Sequence, residues 1–270
     1  MITNQLKQSL LKLRLSGLRE TLDLRLQEAA SNQLSHLQFI ELLIQDEIDV
    51  RDQRTIKRRN KHASFRDLKS LEDFDFGFNP TINKALIYEL ATGKFLLRSE
   101  DVLFVGPPGT GKSHLVQAIG VGLIKMGKIV LYRSIYDLVS ELLRADEDAA
   151  KKDKVMTKYL KCDLLIIDDM GIKQLPGKAG ETLFEIILRR HQLKSTMMTS
   201  NRPIEDWGKI IGDVPATSAI LDRFLSHSYL IEIKGKSFSI QNATCKNMNY
   251  ITHSKKESVL IAYKWTDLKR

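Results

Sequence analysis

The chain has 270 residues, of which 43% are hydrophobic, 28% charged and 7% aromatic. That length supports one sizeable core and a small extra domain, and the sparse aromatics argue against a β-sandwich or a carbohydrate-type site. No apolar run approaches the roughly 18 residues of a membrane span, and the N-terminus has neither an apolar h-region nor a small-residue cleavage site, so a bacterial cytoplasmic protein without membrane contact is expected.

Cys162 and Cys245 are the two cysteines, and neither has a metal-ligand spacing, so disulfide and zinc frameworks are not expected. The net charge of +9 is unevenly spread. Residues 51–69 carry Arg51, Arg54, Lys57, Arg58, Arg59, Lys61, Arg66 and Lys69 against Asp52 and Asp67, and residues 234–270 are again basic. The stretch between is nearly balanced. Two basic flanks around a neutral middle suit a polyanionic partner, although a basic run is equally often a solvated helix face.

In chain order, Leu6, Leu10, Leu13, Leu18, Leu22 and Leu26 fall at helical spacing and predict one amphipathic helix over 4–30. Ser35 precedes a second periodic stretch that runs into the basic segment. Together they make a small helical module over 1–64, for partner or DNA contacts or simply a closed local core. Gly77 and Pro80 mark residues 65–80 as a linker. From 81 to 240 a helix over 81–97 is followed by short apolar runs alternating with helical stretches: VLFVG, IVLYRS, LLIID, TMMTSN and YLIEI. That alternation predicts an α/β domain with a parallel sheet covered by helices on both faces. Residues 241–270 form a basic tail.

Four stretches carry chemistry. GPPGTGKS, Gly106 to Ser113, follows an apolar strand and opens a helix, the context a phosphate-binding loop requires. Gly106, Gly109 and Gly111 let successive amides point into one concavity. Lys112 would reach the β- and γ-phosphates of ATP, and the Ser113 hydroxyl would bind Mg2+. LLIIDDMG ends a central strand in two carboxylates: Asp168 to hold Mg2+, Asp169 to orient or deprotonate water. In MMTSNRP, Asn201 would sense the γ-phosphate or the water, a role its order along the chain favours over ordinary turn chemistry. Arg223, on a predicted helix between two strands, fits an arginine finger that completes a neighbouring subunit's site.

Taken together and in this order, these motifs resemble the IstB-like transposition helper ATPases, of the AAA+ initiator and loader clade with DnaC and DnaA. The resemblance runs from about Leu10 to Phe238 and includes the basic region DVRDQRTIKRRNKHASF, LEDFDFGFNP, GPPGTGKSHL, LLIIDDMG, TSNRPIEDWG, ILDRFLSHS and GKSF. It implies an AAA+ P-loop fold and extends the nucleotide-binding role over Pro107, Pro108, Thr110 and His114. It also implies Phe76 and Phe78 near the adenine. Two features depart from the family pattern. Ser239 stands where the family has an arginine, and residues 240–270 do not read like its ending. An appended tail and a shifted reading frame account for that ending equally.

The resemblance further implies self-association into an ATP-dependent ring or helical oligomer on duplex DNA, without sequence readout, and a cognate transposase as partner. Candidate DNA contacts are Arg58, Arg59 and Lys61 in the helical module and Lys151, Lys152 and Lys154 before the Asp-Asp strand. A replicative helicase loader shares the core motifs. A small-molecule kinase would leave the basic module and Arg223 without a role. A nucleotide-gated DNA binder of slow turnover also fits, since Asp169 reaches less far than the more common glutamate.

Overall fold

Three helices open the chain: α1 (Asn4–Lys12), α2 (Ser16–Asn32) and α3 (His36–Ala63). The computed structural model describes residues 4–171, 177–207 and 221–235. Ser239 and the 241–270 tail lie outside the described residues.

The single helix expected over 4–30 is two. Arg14 has a left-handed backbone, φ 56, which a continuing right-handed helix does not admit. α2 then starts against α3 at a close approach, where a Cβ on Gly17 would lie 2.6 Å from Asp46 O. Buried Glu47 accepts from the Gly17 and Leu18 amides at 2.7 and 3.3 Å. A carboxylate thus closes the end of α2 whose amides lack partners within the helix. Leu10, Leu22 and Leu43 form a small core. Leu6, Leu13 and Leu26 stay exposed, so the leucine period is only partly a closed local core. α3 begins in a Ser35–Gln38 capping box and continues through the basic segment.

The main domain contains β1 (Asp101–Val105), β2 (Val130–Ser134), β3 (Leu164–Met170), β4 (Ser195–Ser200) and β5 (Ser228–Glu232). They form one parallel sheet in the order β2-β3-β4-β1-β5. Its helices are α4 (Lys84–Ala91), α5 (Lys94–Leu97), α6 (Lys112–Lys125), α7 (Ile135–Ala145), α8 (Ala149–Lys161) and α9 (Gly177–Arg190). The helix expected over 81–97 is split at Gly93, φ 73. The stretch from 135 also holds two helices, because the Asp148 carboxylate starts α8 by accepting from the Ala150 and Lys151 amides.

Strand residues alternate between two cores. Leu103, Leu131, Leu165, Ile167 and Met198 pack on the α7–α9 side. Val102, Phe104, Tyr132, Ile166 and Met197 pack on the side of α4 and α6. The sheet is therefore covered on both faces, the AAA+ P-loop arrangement. The chain leaves β1 and crosses to β2 at the far edge, so a crevice opens at the C-terminal ends of the central strands, where ligands of open α/β sheets bind.

The end of α3 and the linker segment are bolted to this domain. Ala63 and Leu71 are buried in the α4–α6 core. Arg133 Nη1 donates to Ala63 O at 3.2 Å, and the Asp67 amide donates to Gln117 Oε1 at 3.2 Å. Among the described residues no helix is long and apolar enough to cross a membrane.

Candidate nucleotide site

The loop between β1 and α6 is shaped by its glycines. Gly106 passes so close to the sheet that a Cβ there would lie 2.2 Å from Ile233 O. Gly111 has φ 94, and a Cβ on it would meet the Phe74 ring at 2.6 Å. These approaches exclude side chains and leave a backbone cradle. Lys112 opens α6 and folds back, its Nζ donating to the carbonyls of Gly106 and Pro107 at 2.7 Å each. Burial holds the Lys112 ammonium below the ordinary lysine range, partly offset by the charges of Asp168 and Asp169.

Asp168 and Asp169 sit where the β3–β4 register shifts, between the Ile167–Met198 and Met170–Ser200 pairs. Such a bulge re-aims side chains. Asp168 is fully buried and its oxygens are well supplied with donors. Oδ1 accepts from Ser113 Oγ at 3.0 Å, from the Asp169 amide at 3.1 Å and from the Thr199 hydroxyl. Oδ2 accepts from the Tyr132 hydroxyl at 2.5 Å. Asp169 adopts a left-handed backbone, φ 65, uncommon outside glycine. Burial and then the Asp168 charge push its carboxyl above the ordinary range, against the pull of Arg66 and Lys112. Arg66 pairs with Asp169 Oδ2 at 3.2 Å.

These elements enclose a cavity of about 380 Å³. The loop from Pro108 to His114 forms one wall, with Asp169, Thr199 and Asn201 opposite. Asn201 Oδ1 is buried and has no hydrogen-bond partner among the described residues. Gly106, Pro107 and Asp168 stand just behind the wall. The remaining side comes from the linker: Asp73, Phe74, Asp75, Phe78 and Asn79. Asn79 Nδ2 donates to Thr110 O at 3.0 Å, which ties that side to the loop.

Phe76 does not itself line the cavity; it packs on the α4–α6 core, its ring 6.0 Å from that of Tyr88 and 4.8 Å from that of Phe74. Phe74 lines the cavity instead, edge-on to His114. The 65–80 segment is a series of turns, so residues two apart do not share a face. Phe74, Asn79 and Arg66 carried no sequence signal that separated them from their neighbours.

The residues fit a nucleotide triphosphate with a divalent cation. The glycine cradle has no room for side chains, and Lys112 is spent on backbone carbonyls that a phosphate could replace; the partnerless Asn201 Oδ1 is an acceptor that suits a water beside the phosphates. Ser113 and Asp168 already touch and could ligate one Mg2+, an ion commonly held by one or two carboxylates plus phosphate oxygens.

Arg223 is exposed on the helical turn 221–225, anchored by buried Phe224, and is not among the residues lining this cavity. The two basic sets are not brought together: α3 packs against α6, while α8 packs against α7 and α9 on the other face. Arg58 and Lys61 are exposed and have no carboxylate partner among the described residues; Arg59 is half-buried beside Gly127. Lys151 and Lys152 are already paired with Asp148 and Asp146, at 3.5 and 2.6 Å, and Lys154 is exposed.

A family model described as IstB-like ATP binding protein matches residues 8–245. An insertion-sequence protein of Geobacillus stearothermophilus, named as ATP-binding, is 35% identical over 213 residues, covering 79% of this chain and 84% of its own. One from Pseudomonas aeruginosa, named likewise, is 33% identical over 238 residues, covering 88% and 89%. Among solved structures, the DnaC helicase loader aligns with TM-score 0.50 and 25% identity, covering 66% of this chain and 99% of that one. AMPPCP-bound DnaA from Aquifex aeolicus aligns with TM-score 0.53 and 24% identity, covering 69% and 57%.

Proposed function

Because the chain belongs to the family of IstB-like ATP-binding proteins, we propose that it is an ATP-hydrolysing helper of transposition. It would assemble on duplex DNA, grip phosphate without reading sequence, and present the DNA to a transposase. The observation that carries the ATP-hydrolysing part is the Ser113–Asp168 contact, 3.0 Å, which joins the glycine loop to the carboxylate end of β3 beside Asp169 and Asn201. The names of the similar proteins, which place them in insertion sequences, favour transposition as the setting.

Bound ATP and Mg2+ supply the phosphoanhydride bond and neutralise charge on its phosphates. The chain's own groups do the rest. Lys112 offers positive charge to the terminal phosphates. Asp169 accepts a hydrogen bond from water and aligns it for in-line attack. Asn201 Oδ1, otherwise unsatisfied, accepts from the same water. Exposed Arg223 of a neighbouring copy adds a second cation beside Lys112, an arginine being absent from the described residues that line this chain's own cavity. Ring or filament growth then follows from head-to-tail contact. Arg58 and Lys61 meet phosphate, whose neutralisation releases counterions.

The aligned DnaC helicase loader favours one second reading, that of a loader for a replicative helicase. Pull-down with a transposase encoded beside the gene, against a hexameric helicase, separates the two.

The test is ATP hydrolysis and DNA binding by the full chain. Duplex DNA should raise the hydrolysis rate, and Lys112→Ala should abolish it. Changing both Arg58 and Lys61 to Ala should reduce the slope of log affinity against log salt by about two, one per lost phosphate contact. Equal hydrolysis with and without DNA, together with a salt-independent affinity, would remove the DNA part of the proposal.

A further inference from the structure

Two adjacent residues at the foot of α3 address the two carboxylates at the end of β3. Phe65 packs on Tyr132 with ring centroids 5.7 Å apart, and the Tyr132 hydroxyl donates to Asp168. Arg66 pairs with Asp169 at 3.2 Å.

The backbone around these residues is held on both sides. Ala63 is fully buried and its carbonyl accepts from Arg133; the Asp67 amide donates to Gln117 on α6. Gly120 makes the seat, since a Cβ there would lie 2.8 Å from Phe65 Cζ. Arg66 therefore projects from a fixed point, and that point is the end of the basic helix. Asp169 lines the nucleotide cavity and Arg66 does not, so the guanidinium meets the carboxylate from outside the cavity lining. The pair is half-exposed on the arginine side, and such pairs add little to fold stability. Its effect is better sought in where the carboxylate points.

We propose that Arg66 is a positioning residue for Asp169, fixing the water-orienting carboxylate and tying it to the placement of helix α3. This rests on the ATP-hydrolysis reading above. A misplaced general base or water-orienting group lowers turnover without weakening substrate binding, because the interaction matters in the transition state. DNA engaged on the basic face of α3 would then reach the hydrolytic site through one side chain.

The experiment compares wild type, R66A, R66Q and R66K as full chains, measuring kcat and KM for ATP with and without duplex DNA, and the Kd of a fluorescent ATP analogue. R66A and R66Q should lose about tenfold in kcat, the scale of a modest positioning defect, with KM and Kd within twofold. R66K should recover part of the loss, and the DNA stimulation should shrink in R66A and R66Q. Unchanged or raised kcat in R66Q overturns the inference, as does a raised KM at constant kcat. R66Q decides the matter even where R66A fails to fold, since glutamine keeps most of the arginine stem. A wild type that does not hydrolyse ATP overturns the ATPase reading as well; an active wild type matched by R66Q overturns this inference alone.

Discussion

Asp101, at the start of β1, accepts a hydrogen bond from the Thr196 amide of β4 at 2.5 Å, at the end of the sheet opposite the nucleotide cavity. The carboxyl is buried, and burial pushes its pKa up to about 7, against the Thr196 hydrogen bond and the nearby Arg190 charge. In the unfolded chain it titrates near its ordinary value of 3.8. Between those values the unfolded state releases the proton while the folded state keeps it. Folding stability from this group is thus greatest at low pH and falls as pH rises towards 7. Asn at 101 keeps an acceptor for Thr196 and cannot titrate. Urea unfolding of Asp101→Asn should therefore show a smaller fall in stability between pH 5 and pH 8 than wild type. Parallel curves for the two proteins would contradict the buried, raised carboxyl.

Tyr132 supplies the donor to Asp168 Oδ2 on a fully buried carboxylate. Tyr132→Phe keeps the ring against Phe65 and removes the donor. A hydrogen bond to a charged group contributes roughly 1.5–3 kcal/mol. The variant should unfold at lower denaturant by a free energy of about that size. Unchanged unfolding would mean that the hydroxyl does not meet Asp168 in solution.

Arg223 and Lys112 lie on different parts of one chain, and Arg223 is absent from the residues lining that chain's cavity. If the finger acts between copies, Lys112→Ala and Arg223→Ala should each be inactive alone. Mixed, they should regain a fraction of wild-type hydrolysis, because some interfaces combine an intact loop from one variant with an intact arginine from the other. Arg223→Ala should also still bind ATP. A mixture as inactive as its parts would count against an intersubunit site.

Much of this site was legible in the chain itself. GPPGTGKS and LLIIDDMG stand at strand ends, and regular strands announce themselves by local apolar runs. Local periodicity is enough to place Lys112, Ser113, Asp168, Asp169 and Asn201 near one crevice, because all lie at or just beyond the C-terminal ends of parallel strands. Periodicity failed where the backbone is irregular. Phe74 and Phe76 differ by two residues in a run of turns, and no sequence rule says which ring faces inwards. The break at Arg14 was hidden because the leucine period continues across it.

By itself the sequence determined the order of the strands along the chain, the parallel α/β architecture and the phosphate-binding chemistry, since each depends on neighbours along the chain. Tertiary structure alone decided that Arg66 meets Asp169, that Tyr132 meets Asp168, and that the two basic sets lie on opposite faces. Those pairings join residues far apart in sequence. They are set by how α3 and the sheet pack as bodies, and packing geometry leaves no mark in local spacing.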